Sequence, residues 1–181
     1  MANQTAHLKR MLEFGGCNPE NVYVISGDVT DCLPYIRFRF RQQQDQETGK
    51  EPVYMRGRLD TGSKDGLVLP RELFDEMEAA RLVRKVNHQL CRKYGDDPVP
   101  LGISDLLVPA TNLEGDRVEV PVNMVTVRGV DGKYIRNEPA VGIGFIQALM
   151  GMPFSIDWEE NIFEIALIPK QPESPPKGSE A

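Results

Sequence analysis

Cysteine and histidine are scarce in this chain, and the few present are poorly placed for chemistry. Cys17, Cys32 and Cys91 are odd in number and far apart. They suggest no disulfide framework and none of the paired spacing of a zinc site, so a reducing compartment is the simpler setting. His88 and Cys91 sit one helical turn apart, but no second pair stands near them in the sequence. A chance pairing is the better account of them, and neither a metal nor a cofactor is expected. Basic excess is missing too. A formal net charge of −6 argues against general nucleic-acid binding, which needs a positive surface for phosphates. No segment approaches the length of a membrane span, and Met1 to Glu13 lacks the apolar run of a secretory signal. A cytoplasmic protein that engages neither membrane nor nucleic acid is expected.

What is present suits an ordinary globular chain, 40% hydrophobic and 27% charged. Its 181 residues fit one domain of about 130–140 residues with extensions, enough to bury a core that is stable alone. The most informative stretch is Leu59-Asp60-Thr61-Gly62-Ser63. It reads as a strand, Val53 to Leu59, delivering one carboxylate onto a tight turn. Thr61 offers a hydroxyl there, and Gly62 a backbone that tolerates close approach. Two carboxylates that share one proton can activate a water between them. Asp-Thr-Gly occurs once in the chain and Asp-Ser-Gly not at all. A second carboxylate of this kind would have to come from a second copy.

The run from Asp60 to Met77, Asp-Thr-Gly-Ser-Lys-Asp-Gly-Leu-Val-Leu-Pro-Arg-Glu-Leu-Phe-Asp-Glu-Met, resembles the retropepsin-like aspartic proteases, particularly their cellular, non-retroviral members. In that family the Asp-Thr-Gly turn leads into a short apolar strand, a proline and a helix. An apolar-apolar-Gly signature far downstream packs beside the turn. Leu149-Met150-Gly151 resembles that signature, followed by Ile156-Asp157-Trp158 and a closing strand from Ile162 to Ile168. The resemblance covers roughly Pro34 to Ile168 and implies a mainly β, closed-barrel fold. It also implies an endopeptidase acting on peptide or protein substrates as a homodimer, without a cofactor. Asp60 would be the catalytic residue, with Thr61, Gly62, Ser63 and Gly151 supporting its turn. A catalytically inactive binding or regulatory module on the same fold is the alternative.

Pattern along the chain divides it further. Residues 1–32 are expected to form an extension, with a helix from Thr5 to Phe14 and a short strand from Val22 to Ile25. The domain proper would occupy 33–168, and a disordered tail 169–181. Pro34 to Gln42 alternates, with Ile36, Phe38 and Phe40 on one face and Arg37, Arg39 and Arg41 on the other. With Arg56 and Arg58 on the returning strand, these arginines read as a solvated sheet face. From Pro70, the apolar stripe Leu73, Met77, Ala80, Val83, Val86 and Leu90 predicts a helix that could run to Tyr94. That is longer than the resemblance implies, so about 81–97 reads as an inserted docking helix. Further strands are expected at Ile103 to Pro109, Arg117 to Val127 and Lys133 to Ile135.

Two details of the site stay open on sequence. Arg58 shares a face with Asp60 if the strand is regular, at a place where the family usually has an apolar residue lining the cleft. It could contact an acidic substrate side chain, pair with an acidic neighbour, or snorkel to solvent. Ser63 could donate to the Asp60 carboxylate or cap its own turn. By analogy with the family, the flap over the substrate falls at the hairpin tip Asn112, Leu113, Glu114 and Gly115.

Overall fold

Alternation of inward and outward side chains organises the structure, a computed structural model. It describes residues 22–41, 52–60, 62–86, 93–94, 97–112, 114–132, 135, 137–148, 154–157 and 161–167. The chain is mainly β. Its strands are β1 (Tyr23–Thr30), β2 (Leu33–Phe40), β3 (Met55–Asp60), β4 (Leu67–Pro70), β5 (Arg84–Lys85), β6 (Lys93–Tyr94), β7 (Asp97–Pro98), β8 (Leu101–Asn112), β9 (Arg117–Val130), β10 (Ala140–Gly142), β11 (Phe154–Asp157) and β12 (Ile162–Leu167). Two helices accompany them, α1 (Arg71–Ala79) and α2 (Ile143–Ala148).

Ten strands form one sheet in the order β11-β12-β1-β2-β3-β10-β4-β9-β8-β5, and β8 also pairs with β1 and β2. The pairings therefore return on themselves, enclosing Ile36, Phe38, Leu67, Leu106, Val127, Phe145, Phe163 and Ile165 in the core. The clean alternation of β2 buries Ile36, Phe38 and Phe40 and leaves Arg37 outside. On β3, Gly57 and Leu59 face inward, so Arg56, Arg58 and Asp60 share the outer face.

One long strand changes phase midway. In β9, Val118, Val120 and Val122 face the core, and then Val125 and Val127 do. The register jumps from Leu106↔Val122 to Ser104↔Val125, so Asn123 and Met124 together oppose Asp105. This is a β-bulge. Met124 takes a left-handed φ of 58° and stays largely exposed, while its N–H donates to Asp105 Oδ1 at 2.9 Å.

Two sequence expectations are corrected here. The short strand at Val22 to Ile25 is the eight-residue β1, paired with β12 and β2 as an integral part of the sheet. Gly27 interrupts its apolar pattern because a Cβ there would overlap the Phe163 ring and the Tyr35 carbonyl. Asp31 and Cys32, both at positive φ, close the β1–β2 hairpin. The long inserted helix is also absent among the described residues. α1 stops at Ala79 in a C-terminal motif in which Leu82 N–H donates to Met77 O at 2.9 Å and Arg81 N–H to Glu78 O at 2.9 Å. Arg81 sits at φ 60°, the left-handed position usually given to glycine. Val83 continues the apolar spacing, but it reaches the core from the bend that follows the helix, and β5 then pairs with β8. Downstream, β6 and β7 pair antiparallel with each other. The expected N-terminal helix and C-terminal tail lie outside the described residues.

A polar tie joins three parts of the sheet. Arg39 on β2 binds both carboxylate oxygens of Glu119 on β9 at 2.6 Å, and Tyr54 O–H donates to Glu119 Oε1 at 2.6 Å. Hydrogen bonding from Arg39 is the main reason the Glu119 carboxyl lies below the usual range. Burial, then the bond to Glu119, pushes the Tyr54 hydroxyl up to about 12.

Two outcomes follow from these features. Arg81→Gly should stabilise the protein by about 0.5–1 kcal/mol by relieving the left-handed residue, read as a raised urea midpoint at unchanged m-value. Glu119 has a depressed folded pKa, so its contribution is present above the unfolded value and fades as pH falls through the folded one. The stability gap between wild type and Glu119→Gln should therefore be full at pH 6 and close as pH falls from about 4.5, measured by urea unfolding across that range.

Candidate active site

Asp60 ends β3, and what holds its turn is a parallel strand inserted from far along the chain. β10 pairs parallel with β3, at Ala140↔Arg58, Val141↔Leu59 and Gly142↔Asp60, and antiparallel with β4 on its other side. The chain therefore leaves β3 at Asp60, passes over the end of β10 and returns as β4. The turn's carbonyls receive the amides where β10 becomes α2. Gly142 N–H donates to Gly66 O at 3.0 Å, Ile143 N–H to Ser63 O at 2.7 Å and Gly144 N–H to Asp65 O at 3.2 Å. Donors left unpaired at the start of a helix are thus spent on the turn. No side chain fits at Gly142, where a Cβ would overlap the Asp65 carbonyl and lie 2.8 Å from Ser63 O.

The half-buried Asp60 carboxylate accepts Gly62 N–H at Oδ1, 3.1 Å away, and the Asp60 carbonyl accepts Ser63 N–H at 3.1 Å. Oδ2 has no hydrogen-bond partner among the described residues. Ser63 Oγ accepts Asp65 N–H at 3.3 Å. It caps its own turn, and among the described residues it makes no bond to Asp60. The turn is anchored at its other end by β9. Thr126 Oγ1 accepts Gly66 N–H at 3.0 Å, and Arg128 Nη2 pairs with Asp65 Oδ1 at 2.6 Å with both side chains nearly buried. Removing either partner would strand a buried charge, at a cost of about 3–5 kcal/mol.

Of the residues singled out from sequence, Asp60, Gly62 and Ser63 are brought together in this turn, and Arg58 lies beside it. Arg58 Nε stands 4.0 Å from Glu138 Oε1, so its neighbour is acidic, one of the three environments considered. Thr61, Leu113 and Gly151 lie outside the described residues, as do Leu149 and Met150. The glycine that the structure places against the turn is Gly142. Its context, Ala140-Val141-Gly142, is also apolar-apolar-Gly, nine positions before Gly151. Asp65, Thr126 and Arg128 were not singled out, and nothing local marks them.

The hairpin tip expected as a flap is placed elsewhere. Asn112 Oδ1 accepts Glu114 N–H at 3.0 Å and Asp116 N–H at 2.8 Å, with Gly115 at φ 98° completing the turn. Arg117, at the tip, is nine positions along β9 from Thr126, roughly 30 Å of strand at about 3.3 Å per residue. Beside the tip, Tyr23↔Asn112 and Val24↔Thr111 stitch β8 to β1. Asn112 thus lies beside β1 within the sheet, at the opposite end of β9 from the Thr126 that holds the Asp60 turn at Gly66. The end of β8 that adjoins the turn is its start, where Leu101 pairs with Arg128. Before that end come β5 and the antiparallel pair β6 and β7.

No protein-family model matches this chain, and no curated protein matches it. Among the described residues no three His, Cys, Asp or Glu side chains gather as a metal ion would require. No described helix is long and apolar enough to cross a membrane.

Gly142→Ala should destabilise the protein by about 1–3 kcal/mol, because backbone rather than a pliable side chain blocks the added methyl. Thermal and urea unfolding measure this, and an unchanged midpoint would mean that the glycine does not lie against the turn.

Proposed function

We propose that the protein is an aspartic endopeptidase of the retropepsin-like kind, acting in the cytoplasm as a homodimer that pairs the Asp60 of each subunit. The observation that carries this is the clasp around Asp60. An acid ends an apolar strand, its turn leads into a second apolar strand and a helix, and an apolar-apolar-Gly strand runs between the two with Gly142 against the turn. Those are the parts that the resemblance to retropepsin-like proteases calls for, in their order. A sheet whose pairings return on themselves suits the closed barrel of that family.

The chemistry follows from bringing the two carboxylates together across a two-fold axis. Like charges about 3 Å apart cannot both ionise, so one proton is shared and the pair titrates as a unit. The ionised member takes a proton from a water, which attacks the scissile carbonyl, and the protonated member donates to the carbonyl oxygen. Gly62 N–H, bonded to Oδ1, fixes the carboxylate orientation and leaves Oδ2 for the water. Thr61 would tie the two turns together. The clasp by β10 and α2 keeps both turns from shifting, and a small displacement of reacting groups is costly in rate.

A non-catalytic dimerising module on the same sheet is the second reading, favoured by Asp60 Oδ1 serving as an ordinary turn cap. Cleavage of a peptide library between pH 4 and 7, beside Asp60→Asn, separates the two. The protease should lose activity by about 10²–10⁴-fold or more in Asp60→Asn while keeping its fold and its dimer by sedimentation. An inert wild-type dimer would leave the module reading, and a stable monomer would overturn the shared site.

A further inference from the structure

We propose that Arg58 reads an acidic side chain of the substrate next to the scissile bond, one Arg58 serving each side of the paired Asp60 residues. This rests on the endopeptidase reading above and names its substrate class. Arg58 lies two positions before Asp60 on the same outer face of β3, about 7 Å along the strand. A substrate residue flanking the scissile bond is within reach of an arginine placed there.

The basic side chains of this surface differ in how they are satisfied. Arg56 is committed to its own sheet: its Nη2 pairs with Asp28 and donates to Thr30 Oγ1, and its guanidinium stacks over the Tyr35 ring at 3.7 Å. Arg39 is held by both oxygens of Glu119. Arg37 is exposed and opposes Arg56 in the register, farther from Asp60. Arg58 differs from all three. Its side chain is only 22% exposed, and its ionic contact, Nε to Glu138 at 4.0 Å, is beyond hydrogen-bond length. Glu138 is engaged on its other oxygen by Tyr35 O–H at 3.4 Å. Glu138 therefore holds Arg58 beside Asp60 by charge, and among the described residues the planar fork of N–H donors has no hydrogen-bond partner.

A half-buried guanidinium with free donors is matched by a carboxylate, which it can bind through two parallel bonds. An apolar residue at this place would favour apolar substrates, and a lysine would lack the fork. The net charge of −6 gives the protein no general attraction for acidic peptides. The preference would therefore be local, and, being partly shielded from solvent, weakly screened by salt.

The test uses the full-length protein and matched peptides with Glu, Gln or Lys on either side of one scissile bond. The expected result is a kcat/KM for Glu over Gln of at least about 10-fold, the scale of a charge-assisted bond pair. Arg58→Gln should bring the Glu peptide down to the Gln level, Glu138→Gln should widen the preference, and Arg58→Glu should turn it toward Lys. If Arg58→Gln does not fold, Arg58→Lys serves: it should lose most of the preference with the fork. Equal cleavage of Glu and Gln peptides by wild type, or a Glu preference that survives in the Arg58 variant, overturns the proposal. If wild type cleaves nothing, the hydrolytic reading falls by itself and binding of the same peptides by fluorescence anisotropy decides. Tighter binding of Glu, lost in Arg58→Gln, upholds the role of Arg58, whereas equal binding or none overturns it.

Discussion

The parallel pairing of β10 with β3 is the constraint on which the rest of the site depends. A turn that carries an acid at a strand end has several carbonyls with nothing of its own to satisfy them, and buried carbonyls cannot stay unpaired cheaply. Here the amides of Gly142, Ile143 and Gly144 meet those carbonyls, and they can do so because α2 begins where β10 ends. The arrangement couples residues some eighty positions apart in the chain. It also forces glycine where backbone meets backbone, at Gly142 and at Gly144, whose Cβ would lie 2.7 Å from the Lys64 carbonyl.

Charge is distributed around that clasp with a clear division of labour. Behind the turn, Asp65 and Arg128 form a nearly buried pair that fastens the turn to β9. In front, on the outer face of β1, β2 and β3, arginines and acids are matched at the surface, from the mostly buried Arg39 to the exposed Arg56. Strong matches hold strands together, as with Arg39, Glu119 and Tyr54 or Arg56 and Asp28. The loose match, between Arg58 and Glu138, lies beside the carboxylate. The exposed pair of Arg56 and Asp28 contributes little to stability, whereas the more buried tie of Arg39 to Glu119 bears on folding.

Much of this was legible where local pattern and final environment agree. The alternation of β2, the strand into Asp60, the proline-initiated helix and the two long strands of the β8–β9 hairpin all follow from periodicity and turn residues. Local pattern is silent where two outcomes share one spelling. Ala140-Val141-Gly142 and Leu149-Met150-Gly151 are equivalent strings, and it is the pairing with β3 that brings the first to the turn. The end of α1 was hidden because its left-handed residue is Arg81 rather than glycine, and because Val83 keeps helical spacing while reaching the core from the bend before β5. In β1, the close approach of Phe163 requires Gly27, and a glycine in the middle of a strand reads as its end.

The bulge at Asn123 and Met124 carries a consequence for how the molecule can vary. Its two residues are exposed, and in composition the position invites insertions and deletions. Yet the extra residue is the spacer that lets Val118, Val120 and Val122 on one side, and Val125 and Val127 on the other, point into the same interior. Loss of a single codon there would rotate one half of β9 by a pleat, sending its valines to solvent and swinging the Thr126 and Arg128 side chains away from Gly66 and Asp65. The side chains of that site face solvent, within the limits of the left-handed Met124 backbone, but its length is held by the frame of the whole strand.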